Sequence, residues 1–479
     1  MAKFATRYVA APVVLLLGAR VIWGLEAGRR LDRVYGELRA AGVPLETKNF
    51  LEPVLPDQSN ALVPVLHAIG ALELTEAERG LVSGEGKSLS MPYETEYTAG
   101  EEAQLDGIFA RMGPAFGDLD RAMAVPEAQW GPGLKSAAGG SGGMDEGVLS
   151  SPEVYEEVRF LAHATVLAAR RAHERGDDSA CLHGLEQSLA LARITDANPT
   201  LYGHETAIGI RTETALGVQQ FLGDLRIDGA DRAAAERLVE AFGDDRSVQQ
   251  SEVRAFQFEL AYHRDTLPTE APLSSSWLLK PLVDTTVARL LEMDASLLPA
   301  AAAPIYDAHL LPKLGPTPPG ALSDMVLPPL NGVMETFERA MILQSRHLAD
   351  GRATAVLLAA RMFEEERHRQ AQGVSELRGY LGSAPRDPFA KDGSALRYRL
   401  DADGPTVWSV GEDGVDNHGH LARSAGRVRI RYSQRDLVYG AAWMDAMKAG
   451  SEEARGAAGH GGAAAKGVSG GAVTRQPSR

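Results

Sequence analysis

Histidine and glutamate residues in the middle of the chain are the side chains whose types suit acid–base chemistry. His204, Glu205, Glu213, Glu259 and His263 supply imidazoles and carboxylates. Helices can bring such groups together from positions distant in sequence, as in a hydrolase. No acid, base and nucleophile converge in the sequence itself, so no catalytic residue is predicted. An envelope hydrolase whose pocket gathers these five residues is the alternative to a non-enzymatic function.

Several short motifs match known sites but lack the context that those sites need. Residues 139–143 and 467–471 each read G-x-S-x-G, without the preceding strand and following helix of a nucleophile elbow. The Gly-Lys-Ser at 86–88 lacks the glycine spacing of a phosphate-binding loop. Glu365 and His368 form a single Glu-x-x-His pair, whereas a di-iron bundle needs two pairs and further glutamates. These segments are interpreted as linkers, a loop and a solvated helix face.

Composition excludes several classes of protein. The chain of 479 residues carries 64 acidic and 49 basic side chains, a net charge of -15. This charge repels phosphate backbones, so no nucleic-acid partner is expected. A hydrophobic content of 44% fills a sizeable core and excludes a wholly disordered chain. Cys181 is the only cysteine, so no intrachain disulfide can form.

The N-terminus predicts a membrane anchor. Lys3 and Arg7 precede an apolar segment at residues 8–25 that is interrupted only by Arg20. The segment approaches the roughly 20 residues of a spanning helix. A small-x-small cleavage site is missing, which favours an uncleaved transmembrane helix over a cleaved signal peptide. The prediction is a single-pass protein of the cell membrane with an extracytoplasmic body; an apolar helix packed on the body is the alternative.

The body is predicted to be mainly α-helical. Apolar residues recur at helical period, with Gly or Asp between the periodic segments. The clearest pair covers 152–175 and 178–194, with Gly176 suited to a left-handed C-terminal position and Asp177 or Asp178 to an N-cap. Further helices are predicted at 200–222, 229–242, 247–266, where Ser247 and Gln250 have capping-box spacing, and 331–380, where a break at Gly351 is left open.

Near Pro385 the apolar pattern changes from helical period to alternation. Residues 396–400 and 406–410 predict two antiparallel strands joined by the turn at 401–404, and alternation returns over 427–439. The predicted organisation is a signal anchor at 1–25, a helical N-terminal region at 26–130, a flexible linker at 131–151, a helical body at 152–384, a small β-hairpin module at 385–440 and a disordered tail at 441–479.

Two segments resemble known families. Residues 174–192, ERGDDSACLHGLEQSLALA, resemble a tetratricopeptide hairpin, whose second helix opens Gly-Asp-x-x-x-Ala, with Cys181 in the alanine position. Residues 385–417, which include Asp387-Pro388-Phe389 and a Trp-Ser-x-Gly-x-Asp-Gly turn, resemble the C-terminal hairpin and loop of the type II secretion major pseudopilin.

The pseudopilin resemblance implies a calcium loop. It places Asp413 and Asp416 at the positions of calcium ligands. The chain departs from the family pattern at 417–423, where an acidic stretch is replaced by NHGHLAR. Because calcium prefers many oxygen ligands, at most weak binding is expected, and no other cofactor is predicted. Phe389, Tyr398 and Trp408 are expected to share one apolar cluster that closes the module.

The layout as a whole also resembles a set of uncharacterised bacterial membrane-anchored proteins. Its parts are the N-terminal anchor, the PDQSNALVPVL segment at 56–66, a helical body and the Asp-Pro-Phe hairpin. This resemblance implies no activity. The prediction is a membrane-anchored scaffold that binds or assembles an envelope protein of unknown identity.

Overall fold

The computed structural model describes residues 2–51, 53–84, 97–131, 152–270, 276–303, 306, 330–382, 384–421, 423–424, 427–428, 435–440 and 443. These residues are mainly helical, and a small antiparallel sheet lies near the C-terminus, as the sequence predicts. The motifs at 86–88, 139–143 and 467–471 lie outside the described residues, as do the linker after Gly131 and, apart from Trp443, the tail.

The helices in chain order are α1 (Ala2–Ala40), α2 (Leu62–Gly70), α3 (Glu76–Val82), α4 (Ala99–Arg111), α5 (Gly113–Met123), α6 (Pro152–Glu174), α7 (Asp178–Asp196), α8 (Leu201–Phe221), α9 (Arg232–Gly243), α10 (Asp245–Glu270), α11 (Lys280–Ala301), α12 (Leu330–Arg367) and α13 (Arg378–Leu381). The strands are β1 (Arg397–Asp401), β2 (Gly404–Ser409), β3 (Arg423–Ser424), β4 (Arg427–Val428) and β5 (Leu437–Gly440). Short 3-10 helices occupy Thr47–Phe50, Asp57–Ser59 and Val374–Leu377.

The α6–α7 hairpin forms where the sequence predicts it. Gly176 adopts a φ of +78°, which an L-residue rarely takes. Asp177 then caps α7, since its Oδ1 accepts a hydrogen bond from the Ala180 amide at 3.0 Å. The chain reverses within this short turn, so α6 and α7 pack side by side, and α8 packs against both.

Helix α12 runs through Gly351 without a break. A side-chain carbon at Gly351 would lie 2.9 Å from the carbonyl oxygen of Phe242, at the end of α9. The glycine therefore permits close packing of two helices instead of ending one. The long helix ends at Arg367, and the short 3-10 helix at Val374–Leu377 and α13 follow within the predicted range of 331–380.

Helix α10 begins earlier than the sequence predicts. Its first turn is capped by Asp244, whose Oδ1 accepts a hydrogen bond from the Ser247 amide at 3.2 Å. The expected capping box at Ser247 and Gln250 is therefore wrong, because an aspartate upstream satisfies the free amide. The second half of α1 packs on α10 and α11, where Val34 and Leu38 meet Leu260 and Val287.

Helix α1 changes environment along its length. Ala27, Val34 and Leu38 are buried. Over residues 13–25 the large apolar side chains are exposed; they are Val13, Val14, Leu15, Leu16, Leu17, Val21, Ile22, Trp23 and Leu25. Within the part of the chain that the structure describes, no helix is long and apolar enough to cross a membrane. The transmembrane helix at 8–25 stays a prediction.

The hairpin of β1 and β2 matches the predicted strands and turn, and β5 adds a third antiparallel strand on the other side of β2. Val407 pairs with Tyr398 and Tyr439, and all three pack in the core that includes α12. Trp408, the next residue, points to the opposite face because side chains alternate along a strand. The expectation that Trp408 shares a cluster with Phe389 is therefore wrong.

Candidate functional site

A set of buried polar and charged side chains crosses the helical body where α8, α10 and α12 meet. We call this set the buried polar layer; its members are Asp196, His204, Arg211, Glu252, Gln344 and His347. None of them is more than 8% exposed. Because burial of unpaired polar groups is costly, such a concentration is the candidate functional site.

Helical spacing places these side chains. His204 and Arg211 lie about two turns apart on one face of α8, and Gln344 and His347 about one turn apart on α12. The Thr212 hydroxyl lies 3.4 Å from His347 Nδ1, which brings the two faces together. Further along, Gln219 Nε2 donates to the Thr354 hydroxyl at 2.8 Å. The two helices thus run side by side in parallel.

Asp196 fixes the orientation of His204. The aspartate is the last residue of α7, and a short turn folds the chain back so that the first turn of α8 lies beside it. His204 Nδ1 donates to Asp196 Oδ1 at 2.7 Å. In the neutral imidazole this leaves Nε2 as an acceptor. Nε2 is buried and has no hydrogen-bond partner among the described residues.

Unsatisfied polar atoms are concentrated in this layer. Among the described residues, buried atoms without a hydrogen-bond partner include His204 Nε2, Arg211 Nε, Glu252 Oε1 and both terminal atoms of the Gln344 amide. Each unmade buried hydrogen bond costs about 1–3 kcal/mol. A bound group with complementary polar atoms would supply the hydrogen bonds that these atoms lack within the described protein.

The charges in the layer are shifted by their surroundings. Burial raises the pKa of Glu252 well above its ordinary value, and the neighbouring Asp196 carboxylate adds to the effect. Burial lowers the pKa of His347 well below its ordinary value, and the positive charge of Arg211 lowers it further. These shifts favour the protonated form of Glu252 and the neutral form of His347.

A second buried group adjoins the first. His263 Nδ1 donates to Asp294 Oδ2 at 2.9 Å. Glu259 Oε1 accepts from the Leu201 amide at 3.1 Å, and burial raises the pKa of Glu259. Burial also raises the pKa of Glu205.

Four of the five acid–base candidates named from the sequence thus gather near the start of α8. They are His204, Glu205, Glu259 and His263. Glu213 is the exception, since it pairs with His163 Nδ1 at 2.5 Å. The sequence reasoning missed Asp196, Arg211, Glu252, Asp294 and His347, although Glu252, Glu259 and His263 recur at the spacing of one helix face.

No nucleophile accompanies the histidine–aspartate pairs. Within the described ranges, no serine, threonine or cysteine side chain hydrogen-bonds to the imidazole of His204 or His263. Burial and nearby aspartates raise the pKa of the Cys181 thiol, which makes it a poor nucleophile. A cavity of about 260 Å³ lies between α8, α12 and the hairpin, lined by residues such as Gln219, Arg361 and Tyr398, and it does not include the layer.

Asp413 and Asp416 both lie in the loop after β2, where their carboxylates accept hydrogen bonds. Asp416 Oδ1 accepts from Trp408 Nε1 at 3.0 Å and from the His418 amide at 2.8 Å, and its Oδ2 lies 3.5 Å from Arg397 Nε. Asp413 is exposed, and its Oδ1 accepts from the Val415 amide. Three of the four carboxylate oxygens therefore already interact with protein groups. Calcium binding at these two residues stays a prediction.

The two residues of the Glu-x-x-His motif, Glu365 and His368, do not lie on one helix face. Glu365 pairs with Arg361 on α12, whereas His368 lies beyond the end of the helix with a φ of +52°. Across the described residues, no group of three or more His, Cys, Asp or Glu side chains is arranged to hold a metal ion.

Glutamine at position 252 is expected to change the pH dependence of stability. The folded Glu252 carboxyl keeps its proton where the unfolded carboxyl has lost it, so stability is lost as pH rises from about 4.5 through the raised folded pKa. Glutamine cannot ionise, so the variant does not lose this stability. The melting temperature of Glu252→Gln minus that of the wild type should therefore increase as the pH rises through this window. Thermal unfolding followed by circular dichroism measures the difference. The exposed control Glu240→Gln should show no such trend; a pH-independent difference for both variants would contradict the reasoning.

No family model matches the sequence, and neither curated proteins nor solved structures gave a match to the chain.

Proposed function

We propose that the protein is a helical binding scaffold anchored in the cell membrane by residues 8–25, with its body on the extracytoplasmic side. The observation that carries this proposal is the exposed apolar half of α1. Transfer of a fully exposed Leu, Ile or Val side chain from water contributes about 1.5–3 kcal/mol. Nine large apolar side chains exposed in one stretch of helix thus favour insertion into lipid.

The surroundings of Arg20 support a membrane boundary at this point. Arg20 Nε donates to the Leu278 carbonyl oxygen at 2.9 Å, and its guanidinium lies 4.7 Å from the centre of the Trp277 ring. Trp277 and Leu278 are themselves 58% and 57% exposed. Tryptophan and snorkelling arginine are common at the level of lipid head groups. The body would meet the membrane surface at this patch.

A binding role for the body is supported by the helical packing and by the buried polar layer, which has polar atoms to offer a ligand. The α6–α7 hairpin, which resembles a tetratricopeptide unit, adds an argument by analogy alone.

The second candidate function is an envelope hydrolase. It is favoured by the His204–Asp196 pair, because the unpartnered Nε2 of His204 is suited to act as a base. Such an enzyme would use water as its nucleophile.

Introducing two glutamates into the apolar half of α1 is expected to release the protein from membranes. Leu16→Glu with Ile22→Glu places two charges in the proposed anchor; the charge at position 16, near the centre of the span, costs about 2.5–3.5 kcal/mol, and the one at position 22, near the boundary, costs less. The wild type should sediment with membranes after a high-salt wash, and the double variant should move to the soluble fraction. Gly36→Glu with Ala40→Glu is the matched control, because both positions are exposed on the body-packed half of the helix.

Fractionation decides the proposal. A wild type recovered in the soluble fraction, or a double variant as membrane-bound as its control, would show that residues 8–25 are not an anchor. Protease added to intact spheroplasts tests the orientation: digestion of the body is expected, and its protection would place the body in the cytoplasm. A pull-down from solubilised membranes then searches for the envelope partner.

A further inference from the structure

We propose that the buried polar layer is a binding site for a small oxyanion, with the Arg211 guanidinium as its principal contact. The proposal concerns the interior of the body and does not depend on the membrane anchor.

Arg211 is a buried cation without a counterion. It is 8% exposed and forms no hydrogen bond or ion pair with any described residue. The other two buried arginines in the described part of the chain have partners. Arg171 pairs with Asp106 and Glu174, and Arg352 donates to the Arg386 carbonyl oxygen. Arginine cannot lose its proton in a protein, so the charge of Arg211 must be compensated in another way.

The acidic side chains of the layer do not provide that compensation. Asp196 accepts its hydrogen bond from His204. Glu252 is held towards its neutral form by burial and by the charge of Asp196. An excess of positive charge therefore remains at Arg211.

Hydrogen-bond donors complement this charge. The Gln344 amide is buried and unpartnered, and it lies about one turn from His347 on the face of α12 that meets α8. Arg211 lies near His347 as well, because its charge acts on that imidazole. Guanidinium groups bind carboxylates and phosphates through two parallel N–H bonds, and neighbouring neutral donors complete such sites. A small oxyanion supplies the acceptors that each of these groups lacks.

Titration with inorganic phosphate, sulfate and acetate tests the site on the full-length, detergent-solubilised protein. Calorimetry should detect saturable binding of at least one anion at constant ionic strength, and the melting temperature should rise with its concentration. A response to phosphate or sulfate alone would identify a tetrahedral oxyanion, and a response to acetate would identify a carboxylate. Absence of saturable binding for all three would overturn the proposal.

Arg211→Met supplies a readout that a purely structural arginine would not give. It should reduce affinity by about tenfold or more, since a charge-assisted pair is lost. Without anion, its melting temperature should equal or exceed that of the wild type, because methionine removes an uncompensated buried charge. Arg159→Gln, at an exposed position, is the control and should respond to anion as the wild type does. Equal anion binding by the wild type and Arg211→Met would overturn the proposal, and Arg211→Gln replaces the methionine variant if that does not fold.

Discussion

Replacement of Asp387 with alanine is expected to lower the free energy of unfolding by about 3–5 kcal/mol, the usual cost of removing one partner from a buried ion pair. Asp387 is 0% exposed. Its Oδ1 accepts hydrogen bonds from the Phe389 amide at 3.0 Å and from the Ser409 hydroxyl at 2.6 Å. Its Oδ2 accepts from the Val410 amide at 2.9 Å and from Arg397 Nη1 at 2.5 Å. Alanine would leave all four donors without this partner.

Asp413→Ala is the matched control for Asp387→Ala. Both are aspartates of the hairpin module, but Asp413 is exposed and accepts one hydrogen bond from the Val415 amide. Its replacement should cost less than about 1 kcal/mol. Urea unfolding followed by circular dichroism gives both values, and hydrogen exchange at the β2 amides shows whether the loss lies in the module. Similar small losses for the two variants would mean that Asp387 does not hold the hairpin together.

The sequence was most informative where local signals determine the structure. The turn at Gly176 and Asp177 places a left-handed residue and a cap next to each other, and the two helices around it were predicted to within two residues. The first β-hairpin was equally predictable from the sequence, since the alternation of apolar and polar residues and a two-residue turn specify its register. Both features depend on residues close together in the chain.

Signals that depend on distant packing were not read from the sequence. Gly351 is compatible with a helix break, and only the approach of the Phe242 carbonyl oxygen explains why α12 continues. Helix α11 was not singled out, although Val283, Val287 and Leu291 repeat at its buried face. Whether a helix continues through a glycine, and whether an apolar face is buried, depends on which neighbouring helix packs there. A single sequence does not contain that information.

In the candidate site, too, residue types could be recognised from the sequence, whereas their contacts with distant segments could not. His204 and Glu205 were recognised as residues suited to chemistry, but the partner of His204 lies across a helix end, where periodicity carries no signal. Arg211 looks like any arginine of an amphipathic helix until burial and the missing counterion are known. The buried polar layer is thus a property of the packing of α8 against α10 and α12, not of a motif.

The second face of the sheet gives the other large expected effect, at Trp408. Its ring is 7% exposed and lies under the loop after β2. Gly419 in that loop has a φ of +66°, and a side-chain carbon there would lie 3.0 Å from the ring. The Arg399 guanidinium lies 5.3 Å from the ring centre, and Nε1 donates to Asp416 Oδ1 at 3.0 Å. Trp408→Ala should therefore lower the free energy of unfolding by about 3–5 kcal/mol.

Trp408→Phe separates the packing of the aromatic ring from the hydrogen bond that the indole N–H donates. Phenylalanine keeps a ring under Gly419 but removes the N–H that Asp416 accepts, and it should cost about 1–2 kcal/mol. Urea unfolding measures both variants in the presence and absence of calcium. If the loop is a closing element, as its engaged carboxylates indicate, both losses should be independent of calcium. A melting temperature raised by micromolar calcium in the wild type, and not in Asp413→Asn, would instead mean that the pseudopilin-like loop binds the ion.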